Sequence, residues 1–443
     1  MNGRSLARRL PGGMSRRDFL RLGGVAAIGL LAGCAVNPVT GQSQLMFIDK
    51  DDEVKIDRQY APRQHSNDYG VVRDKALNAY VNSVGQTLAA RSHRPDMPYS
   101  FQAVSATYVN AYTFPGGNIA CTRGILVGLR NEAELAALLG HEIGHVNARH
   151  TAARMSQGVL AQLLLGGAGA VAGGGALGQV VQGLGGLGVS AMLASYSRDD
   201  ERQADELGME YMVRAGYNPL GEVQLMEFLM AQHKDRPNAL ETLFATHPMS
   251  DERRADAIRR TETQYAQVRD LPFLEARYMD NTASLRKQAG AIRAMQDGDK
   301  YMAKKNYGEA AQAYDAALAA APGDYAGLLM MAKCQAAMER WRDARQFARL
   351  ARQAYPGEAQ AVLVGGQIAL ASDEFEQAYV DFTEYNRIFP GNNGLNFLRG
   401  YCREKQGRTR DAASLYRNFL RNGGSGQQAQ YAYARLVQWG YVR

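Results

Sequence analysis

Cysteine is scarce in this chain. The 443 residues hold four, Cys34, Cys121, Cys334 and Cys402, and no two are close together. That scatter excludes a disulfide framework and any cysteine-based metal finger, so Cys121, Cys334 and Cys402 are expected to be small buried hydrophobes. Also missing is an unbroken apolar run able to cross a bilayer: Leu22 to Gly33 stops after about a dozen residues. Basic charge is thin over most of the chain. The formal charge is +7, but residues 1–33 hold Arg4, Arg8, Arg9, Arg16, Arg17 and Arg21 against Asp18 alone. That segment supplies +5 and leaves about +2 for the rest, with no basic footprint for nucleic acid. Hydrophobic residues make up 46% and charged residues 21%, enough for a substantial core, and the length suggests two or three domains.

The charged N-terminus reads as an export signal. Ser15-Arg16-Arg17-Asp18-Phe19-Leu20-Arg21 precedes the short apolar run and resembles a twin-arginine signal. Leu31-Ala32-Gly33-Cys34 resembles a bacterial lipobox, which makes Cys34 the lipidated first residue of a mature protein. Ala35 after it, where an aspartate is absent, favours sorting to the outer membrane. Residues 1–33 are thus expected to be signal peptide and 34–60 a lipidated tether.

Residues 51 to about 91 alternate charged and apolar positions at helical spacing. Short strands are expected from Tyr99 to Val104 and around Ile119 to Thr122, with Pro115-Gly116-Gly117 ending an extended run between them. Glu132 to about Met155 reads as one helix capped by Asn131. Met155 to Ser197 carries no charged residue. It fits a glycine-rich, partly helical lid, a buried hairpin, or a membrane-inserting segment with small-residue contacts such as Gly169/Gly173 and Gly174/Gly178. Its glycines and glutamines favour the lid or interface element.

The last third repeats every 34 residues, as Pro322, Pro356 and Pro390 show, each followed by glycine. In that register Gly298, Ala332, Gly366 and Gly400 share one position. Ala310, Ala344, Ala378 and Ala412 share a second, and Tyr314, Ala348, Phe382 and Tyr416 a third. Small residues at two positions and mostly aromatics at the third suit close packing of paired helices. The array resembles about four tetratricopeptide repeats, with Gln427 onward as a capping helix. Its concave face is expected to bind a peptide or partner protein. The bland alternative is that it only stabilises the preceding domain.

The chemical signal is His141-Glu142-Ile143-Gly144-His145. On a helix, residues i and i+4 project from one face, so both imidazoles can share one cation. Glu142 can reach a metal-activated water and serve as its base. Catalytic zinc usually takes three protein ligands. Candidates for the third are Asp199, Asp200, Glu201, Asp205 and Glu206, of which Glu201 and Asp205 share a helix face. His150, five residues past His145, is expected to point elsewhere on the helix as a supporting or packing residue.

Glu201-Arg202-Gln203-Ala204-Asp205, taken with the histidine motif, resembles the zinc metallopeptidase family that contains the CAAX prenyl protease, HtpX and the periplasmic BepA-like lipoproteins. The resemblance covers roughly residues 35–260. It implies Glu201 as third ligand to one Zn2+ and Asp205 as the residue that orients a ligand histidine. Thr246-His247-Pro248, followed by Arg253, resembles a later motif of the family. It implies that His247 either hydrogen-bonds the developing oxyanion or fills the open metal position as a switch. Arg253 would brace the Glu201/Asp205 region or bind substrate. Read without the family, His247 is a loop histidine before a proline. Asn110, Ala111 and Tyr112 match the family's edge strand, on which a substrate would align as an added strand. The family's integral-membrane members have convincing membrane helices; this chain has only 155–197, which argues against prenylated-peptide processing.

The expected protein is mainly α: a zincin-like metallopeptidase domain over 61–270, helical with a small β-sheet, then an α-solenoid of tetratricopeptide repeats over 288–443. It would be a zinc endopeptidase, lipid-anchored in the periplasm at the outer membrane. It would cleave misfolded or misassembled envelope proteins, with the repeats recruiting clients or the outer-membrane assembly machinery. Two rivals are an assembly chaperone or adaptor with a dormant protease, and an inner-membrane-associated protease anchored by 155–197.

Overall fold

A computed structural model describes residues 34–157 and 195–442. The signal read over 1–33 and most of the glycine-rich stretch, 158–194, lie outside the described residues. No described helix is long and apolar enough to cross a membrane.

The chain opens with a hairpin of β1 (Cys34–Val36) and β2 (Ser43–Leu45), antiparallel, followed by α1 (Lys50–Asn67) and α2 (Lys75–Ala89). Asp49 and Asp52 form a capping box at the start of α1, and Asp74 caps α2. A three-stranded sheet has the order β3 (Ser100–Val104), β5 (Asn118–Thr122), β4 (Ala111–Thr113). β3 runs parallel and β4 antiparallel to β5, with Phe101 opposite Ile119 and Tyr112 opposite Ala120. α3 (Arg123–Leu126) leads to α4 (Glu132–Asn147), then come α5 (Arg198–Arg214), α6 (Leu220–Asp235), α7 (Pro237–Thr246) and α8 (Asp251–Glu262). Asn131 caps α4, and Ser197 with Asp200 caps α5, each in front of an acidic first turn.

Two expectations need correcting. Residues 34–60 are no loose tether: Met46, Ile48, Ile56 and Tyr60 are buried with Val104, Tyr112, Phe114 and Met155. Burying each such side chain contributes about 2 kcal/mol, which a free tether would forgo. The histidine helix does not run to Met155. It ends at Asn147; Arg149 adopts a left-handed φ of 60°, and helix resumes only at residue 150. The stretch between the two expected domains is also packed: α9 (Glu275–Asn281) buries Tyr278 completely, its hydroxyl donating to the Leu126 carbonyl, and α10 (Ala283–Arg286) follows.

The contact that builds the site is the crossing of α4 and α5. A Cβ on Gly208 would lie 2.7 Å from the His141 backbone nitrogen, and one on Gly144 2.8 Å from the Ala204 carbonyl oxygen. The two backbones therefore touch, which only glycine permits at these positions. That approach sets Glu201 and Asp205 opposite His145 and His141.

The C-terminal array holds four helix pairs: α11 (Ala289–Ala303) with α12 (Tyr307–Ala320), α13 (Tyr325–Ala337) with α14 (Trp341–Ala354), α15 (Ala359–Ala371) with α16 (Phe375–Ile388), and α17 (Asn393–Lys405) with α18 (Thr409–Arg421). α19 (Gly426–Gln438) closes the end. The packing follows the repeat register: Tyr314 covers Gly298, Phe382 covers Gly366 and Tyr416 covers Gly400. Asp324, Glu358 and Asn392 cap the first helix of the last three pairs. Lys305, Glu339, Asp373 and Gly407 hold left-handed φ in the turn inside each pair. Cys121, Cys334 and Cys402 are buried and unpaired, as expected.

Part of the array's surface is used within the chain. Arg123 makes a bidentate buried ion pair with Asp324, and Gln296 donates to the Thr107 carbonyl at 2.6 Å. Arg63 donates to the Pro390 carbonyl at 2.9 Å, Ser66 bonds Glu358, and Lys333 reaches the Tyr69 hydroxyl. The first three repeats thus brace the preceding domain. A cavity of about 370 Å³ lies in this interface, away from the histidine cluster.

Candidate metal centre

α4 presents His141 and His145 on one face, as the i, i+4 spacing requires, and their Nε2 atoms lie 3.0 Å apart. From α5, Glu201 places Oε1 3.4 Å from His145 Nε2 and Oε2 3.6 Å from His141 Nε2. From the end of α7, His247 brings Nδ1 to 3.1 Å from Glu201 Oε1 and 3.4 Å from His141 Nε2. One ligand atom from each of these four buried residues lies within 4.8 Å of all the others. Two donors each about 2.1 Å from a tetrahedral zinc stand about 3.4 Å apart, so this donor set fits that ion in size and chemistry. A second observation agrees. Glu142 is buried, yet its Oε2 has no hydrogen-bond partner, as befits a carboxylate kept for a water or substrate.

Neighbours orient the donors. His141 Nδ1 donates to Asp205 Oδ1 at 2.8 Å, which turns the Nε2 lone pair toward the cluster. Arg253 holds Asp205 through Nε to Oδ2 at 2.7 Å and Nη2 to Oδ1 at 2.6 Å, and reaches Glu201 Oε2 with Nη1 at 2.6 Å. Of the two roles expected for Arg253, this is the brace. The Tyr196 ring stacks on His145 with centroids 3.7 Å apart, and His145 Nδ1 meets His150 Nδ1 at 2.9 Å.

The electrostatics separate base from ligands. Burial pushes the Glu142 carboxyl up, against the pull of His247 and His141, in the direction a general base needs. Burial opposes ionisation of Glu201 as well, but the surrounding histidines, His247 foremost, hold it well below the usual carboxylate range. His145 is driven well down by burial and is neutral, as a ligand must be. Burial also disfavours charge on His141, yet Asp205 and Glu201 push its pKa up to about 9, so a cation bound there would compete with a proton.

The expected substrate strand lies beside this cluster. β4 is at the edge of its sheet, and Asn110 and Tyr112 join His247 and Tyr196 in lining a cavity of about 70 Å³. Ala111 is not among its lining residues and is fully buried in the core. Sequence reasoning passed over Tyr196, Gln203, Gly144 and Gly208. The glycines carried a signal: Gly140 and Gly144 recur at i, i+4 inside a helix, where glycine costs stability unless something packs against it.

Comparison with known proteins agrees with the geometry. Residues 75–262 match the model of peptidase family M48, and residues 301–364 match a tetratricopeptide repeat model. A beta-barrel assembly-enhancing protease of Yersinia pestis is 30% identical over 246 residues, 53% of this chain and 49% of that protein. Its counterpart in Escherichia coli is 29% identical over 210 residues, 45% and 42% of the respective chains. The Escherichia coli metalloprotease YcaL is 28% identical over 191 residues, 42% of this chain and 68% of that one. The chain spans about half the length of the assembly-enhancing proteases it matches.

Proposed function

We propose that this chain, whose residues 75–262 match peptidase family M48 and whose residues 301–364 match a tetratricopeptide repeat, is a zinc endopeptidase acting on misfolded or misassembled outer-membrane proteins. The observation that carries this reading is the convergence of His141, His145 and Glu201 beside a buried Glu142 oxygen with no partner.

His141, His145 and Glu201 would hold the zinc, which supplies polarisation of the scissile carbonyl and acidification of the attacking water. Glu142 takes the water's proton as the oxygen attacks the carbonyl carbon, then delivers it to the departing amine as the C–N bond breaks. His247, whose Nε2 lies 3.8 Å from Glu142 Oε1, would hydrogen-bond the developing oxyanion. Asn110, Ala111 and Tyr112 on the edge strand would align the substrate backbone as an added strand. The substrate class rests on the names of the relatives. The repeats are proposed to recruit clients or assembly partners, and Cys34 to carry a lipid that places the enzyme in the periplasm at the outer membrane.

An unfolded outer-membrane β-barrel protein tests the reading. Incubation with the zinc-loaded chain should yield fragments, a metal chelator should stop cleavage and zinc should restore it. Chelator-insensitive cleavage, or none with zinc bound, overturns it.

One observation favours a second reading. His247 sits among the ligand atoms, where it can occupy the open metal position and silence the resting enzyme. The chain would then act chiefly as an assembly adaptor. Rescue of an envelope-defective strain by Glu142→Gln supports the adaptor; failure to rescue supports the peptidase.

A further inference from the structure

The break in the histidine helix has a chemical consequence. Five residues along an uninterrupted helix rotate a side chain by about 140° beyond a full turn, which would carry His150 away from His145. Instead Arg149 takes its left-handed φ and returns His150 to the cluster, Nδ1 to Nδ1 at 2.9 Å. A left-handed non-glycine residue costs about 1–2 kcal/mol, and here it is held from several sides. Arg149 Nε donates to Glu53 Oε1 at 2.8 Å and Nη2 to the Ile48 carbonyl at 2.6 Å. Arg94 donates to Glu53 Oε2 at 2.6 Å and to the Val146 carbonyl at 2.9 Å. Asn37 donates to the Ala148 carbonyl at 3.3 Å. Glu53, Arg94 and Arg149 are all buried.

We propose that His150 is the positioning residue for the metal ligand His145, and that the Glu53–Arg149 clamp exists to place it. The inference rests on the reading of His145 as a ligand. His145 Nε2 faces Glu201 and His141, so in the neutral ring the proton is on Nδ1 and is donated to His150 Nδ1. His150 must then carry its own proton on Nε2, which points at Gln203 Oε1 at 2.9 Å, with Asp200 Oδ1 at 3.4 Å. The protons run one way, His145 to His150 to Gln203, and every tautomer is fixed. The two ligand histidines are therefore supported differently. His141 leans on an ionised carboxylate braced by arginine, whereas His145 leans on a neutral imidazole. Residues of the N-terminal segment, Asn37 and Glu53, reach the metal site through this turn.

The test reads metal affinity and ligand field. Zinc dissociation constants are measured by competition with a chromophoric chelator, and visible spectra are taken of the cobalt-substituted protein. His150→Ala should weaken zinc binding by about 10–100-fold and shift the cobalt bands, while the metal-free protein melts close to wild type. His150→Asn, whose Oδ1 can accept where Nδ1 did, should recover most of the loss. Glu53→Gln should weaken binding in the same direction and add little to His150→Ala, since both act through one contact. Should His150→Ala not fold, Gln203→Leu takes its place, with weaker zinc binding expected and unchanged binding contradicting the proposal. Unchanged affinity and spectrum in His150→Ala overturn the assignment, whereas a wild-type chain without stoichiometric zinc overturns the site reading itself.

Discussion

Arg253 and Asp205 face each other as a bidentate pair, Nε to Oδ2 and Nη2 to Oδ1, and the same guanidinium reaches Glu201. One cation thus ties the carboxylate proposed as a metal ligand to the carboxylate that holds His141 Nδ1. Removing it leaves the buried Glu201 and the partly buried Asp205 without that partner, which costs about 3–5 kcal/mol. Arg253→Ala should therefore melt early and lose zinc more easily than wild type. Arg253→Lys, with a single point of charge, should recover only part of either property. Thermal melts with and without zinc check both.

The α4–α5 crossing yields a second prediction. A methyl group on Gly208 would lie 2.7 Å from the His141 backbone nitrogen, and neither backbone can step aside without parting the ligands. Gly208→Ala should lose about 1–3 kcal/mol through overpacking and a larger share of its zinc affinity. Gly216, with open space around it, is the control for a tolerated position, provided its positive φ is respected by Gly216→Asn.

Much of this was legible in the sequence, for identifiable reasons. The 34-residue period fixed the helix pairs because each glycine needs its aromatic. That His141 and His145 share a face, and Glu201 and Asp205 another, was legible because helical spacing converts number into direction; the choice of Glu201 among five acids came from the family resemblance. His150 was misplaced by the same rule, since spacing holds only while the helix does, and Arg149 gives no compositional warning of its left-handed turn. The burial of Met46, Ile48, Ile56 and Tyr60 and the docking of Arg123 on Asp324 arise from long-range packing, which no local pattern encodes.

That docking can be loosened. Arg123 and Asp324 are both buried, and Asp324 also caps α13. Arg123→Ala is the cleaner cut, because it leaves the cap in place. It should loosen the array's seat on the preceding domain without releasing it, since Gln296, Arg63, Ser66 and Lys333 still bridge the two. The thermal midpoint should fall and protease cleavage around α10 should rise, while the zinc content stays unchanged.

Acid should destabilise the catalytic domain through His65. Burial lowers its pKa to about 4, from 6.5 in the unfolded chain. Its folded pKa is depressed, so its contribution is complete above pH 6.5 and is lost as pH falls toward 4. Between pH 7.5 and 5 the loss is about 2 kcal/mol. Urea midpoints at the two pH values should fall closer together in His65→Gln than in wild type.

The central claim is that Glu142 is the base of a zinc peptidase, and one comparison tests it. Wild type and Glu142→Gln are purified side by side, their zinc is quantified, and each is offered the same unfolded β-barrel protein. About one zinc per chain is expected in both, with cleavage by the wild type alone. Cleavage by Glu142→Gln at the wild-type rate, with zinc in place, would contradict it.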